Sequence, residues 1–333
     1  MKMVHSDPSG AARAGVPLPL IGASEAAVAA RTAFAEASAG RGSVLLVGEN
    51  GCRPADVAKA LHRLASPARP FVAIDCASLI AAEIDSRLFG VLPRRATQEL
   101  EIVGPDAAVV AADGGTLYLE QIDELPASAQ RRLARVMRDG EVAIGGRTAT
   151  AATFRLIGAT SKDLEVEANE GRFRTELQRR FTARIALPSL RQRPQDVPTM
   201  LERLSHDSGR GGVSITTPAQ TILSAMPWPG NLDELASVFT RILDATNGTV
   251  RQEDVLAQLP IQGTFPRPDL TASLREARRR FERDYISAVL ERHHWRMSEA
   301  ARTLGIERAN LYRKTRQLGI TRAPRGEAPA VDR

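Results

Sequence analysis

The chain has 333 residues, of which 43% are hydrophobic and 25% charged, with a formal net charge of +6. That length calls for more than one average domain, and the composition excludes wholesale disorder. The charge is uneven: Leu274 to Arg325 holds 14 Lys or Arg against 6 Asp or Glu, an excess larger than that of the whole chain, so the remainder is net −2. A polyanionic partner is therefore expected at the C-terminal end and not along the body of the molecule.

Residues 1–17, MKMVHSDPSGAARAGVP, lack the apolar core of a signal peptide and read as a flexible tail. Ala26 to Ala39 is helical in pattern, and SVLLVG (Ser43 to Gly48) is a short buried strand ending on glycine. A Gly-bearing turn and a helix from Ala55 to Leu64 complete a strand–turn–helix unit. FVAIDC (Phe71 to Cys76), TLYLEQI (Thr116 to Ile122) and FRLIGAT (Phe154 to Thr160) are further apolar strands. Each is separated from the next by enough sequence for a crossover, so the expected fold class is α/β, a parallel sheet with helices on both faces over residues 18–190.

From Arg191 to Leu259 the pattern is helical, broken by PWPGN (Pro227 to Asn231), and predicts an all-helical subdomain over 191–260. IQGTFPRPD opens a Pro/Gly-bearing linker at 261–272, a last domain spans 273–322, and residues 323–333 form a second tail. Cys52 and Cys76 form neither a CxxC nor a Cys/His cluster, so no disulfide framework and no metal site are expected. With no apolar run approaching 18 residues, a cytoplasmic protein is expected.

The last domain carries the most specific signal. Leu274 to Arg292 is a long helical pattern with Leu274, Ala277, Phe281, Tyr285, Ala288 and Val289 near one face. Met297 to Ile320 then reads as a helix capped by Ser298, with Ala300, Ala301 and Leu304 inward, a turn at Gly305-Ile306, and a second helix of about eleven residues. That is the grammar of a helix-turn-helix. The second helix presents Arg308, Asn310, Tyr312, Arg313, Lys314 and Arg316. Arg and Asn match guanine and adenine edges in the major groove, and Lys and Arg neutralise phosphates, so these six residues are the expected DNA contacts.

FERDYISAVLERHHWRMSEAARTLGIERANLYRKTRQLGI is similar to the Fis-type DNA-binding domain that ends bacterial enhancer-binding proteins. Upstream, LPLIGAS, VGENGC, PFVAIDCASL, SRLFG, GGTLYLEQIDELP, ARVMRDGEVAIGG, EGRFRTELQRRF, LPSLRQRPQDVP and PWPGNLDELASV resemble, in order, segments of the AAA+ domain by which that family couples ATP hydrolysis to sigma-54 RNA polymerase. The resemblance runs from residue 18 to about 245. It implies a P-loop-type sheet, a helical lid, a palindromic double-stranded DNA site, and self-association as a dimer through Leu274 to Arg292, with a higher ring as a further form.

Residue by residue, the family's chemistry is missing. In GENGCRPA, Gly48 and Gly51 remain, but Arg53 stands where the family has glycine and Pro54 where it has the lysine that reaches the phosphates. Proline suits the first turn of a helix, yet offers a phosphate neither an N–H nor a charge. Glu120 and Gln121 replace the Asp-Glu pair that orders magnesium and polarises water, and an amide is no general base. Ser161 and Asp75 stand at two asparagine positions, and Asp233 replaces a sensor arginine, placing a carboxylate where a cation would attract phosphate. After Leu88-Phe89-Gly90 the sequence has no GAFTGA loop, the segment that touches sigma-54. Arg174 and Arg180 keep the spacing of the family's arginine fingers, and two such residues in a segment of four arginines also fit plain surface charge.

The expected function is a DNA-binding transcription regulator whose AAA+ part is a non-hydrolysing scaffold for oligomerisation or ligand sensing. ATP, ADP or a nucleotide second messenger held near Arg53 are the cofactors it leaves open. Two other functions fit the same residues: a non-catalytic subunit joining an active AAA+ relative, and an unorthodox ATPase acting on sigma-54 RNA polymerase. With about seventeen residues ahead of the AAA+ start, no receiver domain is expected.

Overall fold

A computed structural model describes residues 16–90, 100–145, 148–246, 248–259, 282–283, 286–287, 289–290, 295 and 297–320. The chain divides into two compact units, Met1–Leu259 and Pro260–Arg333.

In the first unit, α1 (Glu25–Ala39) starts at Ser24, whose hydroxyl accepts the Ala27 N–H at 3.2 Å. There follow β1 (Ser43–Gly48), α2 (Pro54–Ala65), β2 (Phe71–Asp75), α3 (Ala81–Phe89), β3 (Glu101–Val103), α4 (Ala108–Ala111), β4 (Thr116–Glu120), α5 (Ala127–Asp139), β5 (Glu141–Ile144), β6 (Thr148–Ala151), β7 (Arg155–Thr160), α6 (Leu164–Asn169), α7 (Thr175–Gln178) and β8 (Phe181–Leu187). The main sheet has the order β2-β4-β7-β1-β8, with every pairing parallel. Alternation along the strands splits the core: Leu45, Leu117, Leu119 and Leu156 pack with α3 and α5, whereas Val44, Leu46, Tyr118 and Ile157 pack with α1 and α2.

The four strands expected from apolar runs are present, and each lies within a residue or two of its predicted ends. The edge strand β8 was not foreseen. FTARIAL alternates buried and exposed positions on its way to Ile185 and Leu187, and its polar residues hide it among the arginines before it. A small sheet, β3-β5-β6, was also missed, because its strands of three or four residues are too short to show a pattern.

The lid is built from α8 (Val197–Asp207), α9 (Thr217–Ala225), α10 (Asn231–Ala245) and α11 (Gln252–Gln258), with the two-residue strands β9 (Ser214–Ile215) and β10 (Thr249–Val250) paired in parallel. Its core gathers Trp228, Phe239, Leu235 and Ile242, and it includes Leu18 and Ile21 from the segment ahead of α1. That segment is tied down by buried polar groups. Asp196 accepts the Ala23 and Ser24 N–H groups at 2.8 and 3.0 Å, and Arg193 donates to the Pro19 carbonyl at 2.6 Å. Burial pushes the Arg193 guanidinium down to about 10, with Asp196 opposing the shift.

In the second unit, α12 (Met297–Thr303) and α13 (Arg308–Leu318) enclose a small core of Ile286, Val289, Leu290, Ala300, Ala301 and Leu311. Helix α12 already includes Ser298, so that residue is inside the first turn and not its cap. Gly305 takes φ 65°, the left-handed conformation that lets the chain reverse between the helices. Most of Leu274 to Arg292, including Leu274, Ala277, Phe281, Tyr285 and Ala288, lies outside the described residues, as do the linker, residues 1–15 of the first tail and the whole of the second. Val289, expected on the dimer face, is 8% exposed within this core.

Candidate functional site

Ligand clefts of open parallel sheets lie beyond the carboxyl ends of the strands. Here β1, β4 and β7 deliver Gly48, Glu120 and Thr160 to such an edge, and a cavity of about 220 Å³ opens between them and the lid. Gly48, Gly51, Pro54, Glu120, Gln121, Ser161 and Asp233 all line it, so seven of the nine residues singled out for this site converge, while Asp75 at the end of β2 and Arg53 are not in the lining. Arg53 stands at its rim as the residue before α2, in the left-handed conformation at φ 57°. Pro54 occupies the first helical position, where its missing N–H costs the helix nothing.

The lining of this cavity offers a polyphosphate no cation. Its lining carries the carboxylates Glu49, Glu120 and Asp233 and no lysine or arginine among the described residues. Burial raises the pKa of Glu120, and Asp75 and Asp233 push it the same way. The Arg53 guanidinium turns onto Asp233, Nε to Oδ1 at 2.7 Å. The two substitutions that looked independent in sequence therefore neutralise each other across 180 residues of chain. Both ends of the pair are substantially exposed, so its contribution to stability is modest.

Further contacts hold the turn against the lid, and sequence reasoning missed them because every partner is remote. Asn231, buried and at φ 49°, donates to the Asn50 carbonyl at 2.9 Å and accepts the Leu190 N–H at 3.0 Å. The Asp233 N–H donates to the Gly51 carbonyl at 3.2 Å, and Glu49 forms a two-pronged ion pair with Arg191. Gly51 admits no side chain: at φ +80°, a Cβ would stand 2.1 Å from the Gly230 carbonyl oxygen. Cys52 is buried behind the turn, and burial pushes its thiol up to about 11, which leaves it protonated near neutrality.

Arg174 precedes α7, where its N–H donates to the Gln130 side chain at 2.7 Å and its guanidinium lies 3.6 Å from Glu176. Neither it nor Arg180 lines the cavity of its own chain.

In the second unit, the six expected contact residues all belong to α13 but divide between two roles. Arg308, Tyr312, Arg313 and Arg316 are exposed along one side, with the Arg308 guanidinium 5.7 Å from the Tyr312 ring centre. Asn310 is half-buried and accepts a hydrogen bond from Arg313, which holds that guanidinium in place. Lys314 points back to an ion pair with Glu282, which ties α13 to the chain ahead of α12.

A family model described as the sigma-54 interaction domain matches residues 20–186, and one described as bacterial regulatory protein, Fis family, matches 277–318. The alginate biosynthesis transcriptional regulatory protein AlgB of Pseudomonas aeruginosa is 32% identical over 285 residues, covering 84% of this chain and 62% of that protein. The acetoin catabolism regulatory protein of Cupriavidus necator is 35% identical over 297 residues, covering 84% of this chain and 43% of the relative. The chain thus spans about three-fifths of the length of most of these relatives. A crystal structure of NtrX from Brucella abortus in complex with ATP superposes with a TM-score of 0.60 at 28% identity, covering 90% of this chain and 69% of the other. A RuvB mutant of Thermotoga maritima, at 16% identity and TM-score 0.50, shares the fold. No described helix is long and apolar enough to cross a membrane. With its P-loop-like sheet, lid and helix-turn-helix in this order, the chain belongs to the sigma-54-dependent transcriptional regulator family, joining a sigma-54 interaction domain to a Fis-type helix-turn-helix.

Proposed function

We propose that this protein is a sequence-specific DNA-binding transcriptional regulator whose sigma-54 interaction domain is a scaffold for oligomerisation or ligand sensing and does not turn over ATP. The observation that carries the reading is the cleft with three carboxylates, no lysine or arginine, and an arginine at its rim already committed to Asp233. Magnesium-bound ATP does not fit this donor set. Loss of a buried charge partner costs roughly 2–5 kcal/mol, so the missing lysine alone weakens ATP binding by tens to thousands of fold. Gln121 cannot accept a proton from water, so turnover has no base there. On this reading the protein acts at promoters without the sigma-54 contact, since the segment after Gly90 lacks the GAFTGA motif.

The test is a pair of measurements on the full chain. Phosphate release from ATP should stay at the blank, and binding to a palindromic genomic fragment should exceed binding to random duplex and weaken steeply with salt. Release well above blank and abolished by Glu120→Gln would identify a working ATPase instead. Equal affinity for all duplexes would remove the regulator.

Arg174 favours a second reading, in which the chain enters the ring of a motif-complete relative and supplies its arginines in trans. Its backbone is fixed by Gln130 while its side chain is 39% exposed. Co-purification with a second AAA+ protein separates this from the first reading.

A further inference from the structure

A second depression, about 470 Å³, borders α2 and shares no lining residue with the cleft, within the range of small-molecule sites. The helix turns Asp56, Lys59 and Arg63 towards it, the lid contributes Arg203 and Asp207 from α8, and Phe71 and His62 stand at its base. Its polarity is the reverse of the cleft's. Arg203 and Asp207 neutralise each other at 2.8 Å, whereas Lys59 and Arg63 are exposed, one turn apart, and paired with no carboxylate among the described residues. Cations four residues apart on one helix face converge on one point, which suits a phosphate shared between an ammonium and a guanidinium. The rings are ordered before any ligand arrives: His62 Nδ1 lies 2.9 Å from the Thr116 hydroxyl, its ring is 5.2 Å from Phe71, and Phe71 stacks on Tyr118 at 6.1 Å. Phe71 is only half-buried, so a flat ring can pack against it. Asp56 adds a carboxylate able to accept ribose hydroxyl hydrogens.

From this geometry we infer that the groove is a binding site for a nucleoside polyphosphate, separate from the P-loop-like cleft, with Lys59 and Arg63 taking the phosphates and Phe71 the base. The site does not depend on the absence of ATP turnover and needs none of the cleft residues. Arg53 borders both this groove and the cleft, so a bound phosphate that attracts it would loosen its hold on Asp233 and couple the groove to the lid.

Calorimetric titration of the full chain with GTP at about 0.15 M salt, with pyrophosphate as the comparison, tests this. GTP should bind with a Kd on the order of 10–100 μM, more tightly than pyrophosphate. Lys59→Glu combined with Arg63→Glu should weaken it at least about tenfold. Both positions are exposed, so the variant should fold, and Lys59→Gln with Arg63→Gln should give a smaller loss in the same direction. Ser161→Trp, which fills the cleft mouth from an exposed position, should leave GTP binding unchanged. Absence of heat up to millimolar GTP overturns the proposal, as does binding that survives the charge reversal or is abolished by Ser161→Trp. Equal affinity for GTP and pyrophosphate overturns the role of Phe71 and with it the nucleoside assignment.

Discussion

The turn between β1 and α2 and the exposed side of α13 are both places where a protein of this family would meet phosphate. In the turn the backbone is held by packing and no cation lines the space: Gly51 takes φ +80°, proline sits comfortably at the first helical position, and Glu49, Glu120 and Asp233 line the cleft. In α13 Arg308, Arg313 and Arg316 are exposed, Asn310 accepts a hydrogen bond from Arg313, and Lys314 pairs with Glu282. A fold preserves a turn for its own packing reasons, whereas nothing in the packing preserves an exposed cation. Shape alone is therefore weak evidence of activity, and unpaired charge presented on an ordered surface is stronger.

The comparison breaks first at DNA. Arg313→Ala with Arg316→Ala should weaken binding to a specific palindrome by roughly 100-fold or more, at about 1–3 kcal/mol per base-edge contact, and flatten the salt dependence. Lys314→Ala should weaken it less, because its ammonium is engaged by Glu282. Gel-shift titrations at several salt concentrations check both. If Lys314→Ala matches the loss at Arg313, the brace is a phosphate contact and the division within α13 fails.

The next effect falls on the turn and concerns folding. Gly51→Ala places a methyl against the Gly230 carbonyl at a left-handed φ, and strain and overpacking together should cost about 2–4 kcal/mol in urea unfolding. DNA affinity of the folded protein should not change. A neutral result would mean that the turn no longer packs on the lid.

Arg53→Gly gives a smaller change of opposite sign. The arginine holds φ 57° at a cost of about 1–2 kcal/mol relative to glycine, and its exposed pair with Asp233 returns about 0–1 kcal/mol. Restoring glycine should therefore leave stability unchanged or raise it by up to about 2 kcal/mol. A loss above that would show the ion pair to be a principal clamp on the lid.

How much of this was legible in the sequence depended on the range of each signal. The strands Ser43–Gly48 and Thr116–Glu120 are continuous apolar runs because both faces of the sheet are covered, and such runs can be read locally. Phe181–Leu187 pairs on one side only and alternates, so its pattern merges with the charged segment before it. The cleft residues could be named because each sits at a known motif position, Gly48 and Gly51 by matching it and the others by departing from it. Their pairing was not, since Arg53 and Asp233 are 180 residues apart and a motif records positions one at a time. Lys314, expected as a DNA contact with the rest of its helix, also pairs with Glu282, a partner 32 residues away that the pattern of the helix alone does not show.

Glu120 offers the finest test, through pH. Its pKa is raised by burial and by Asp75 and Asp233, so the folded state penalises the charged carboxylate relative to the unfolded chain. Below the unfolded value both states are protonated and the penalty is absent. It grows as pH rises from the unfolded pKa towards the raised folded one and is complete above the latter. Glu120→Gln removes the charge and keeps the shape, so it should raise the melting temperature at pH 7, with the gain shrinking as pH falls towards the ordinary carboxylate range. A carboxylate retained to order magnesium would be stabilised by that ion and costly to lose in its presence. The sign of the change at pH 7, measured with and without magnesium and ATP, therefore distinguishes a repurposed cleft from a working one.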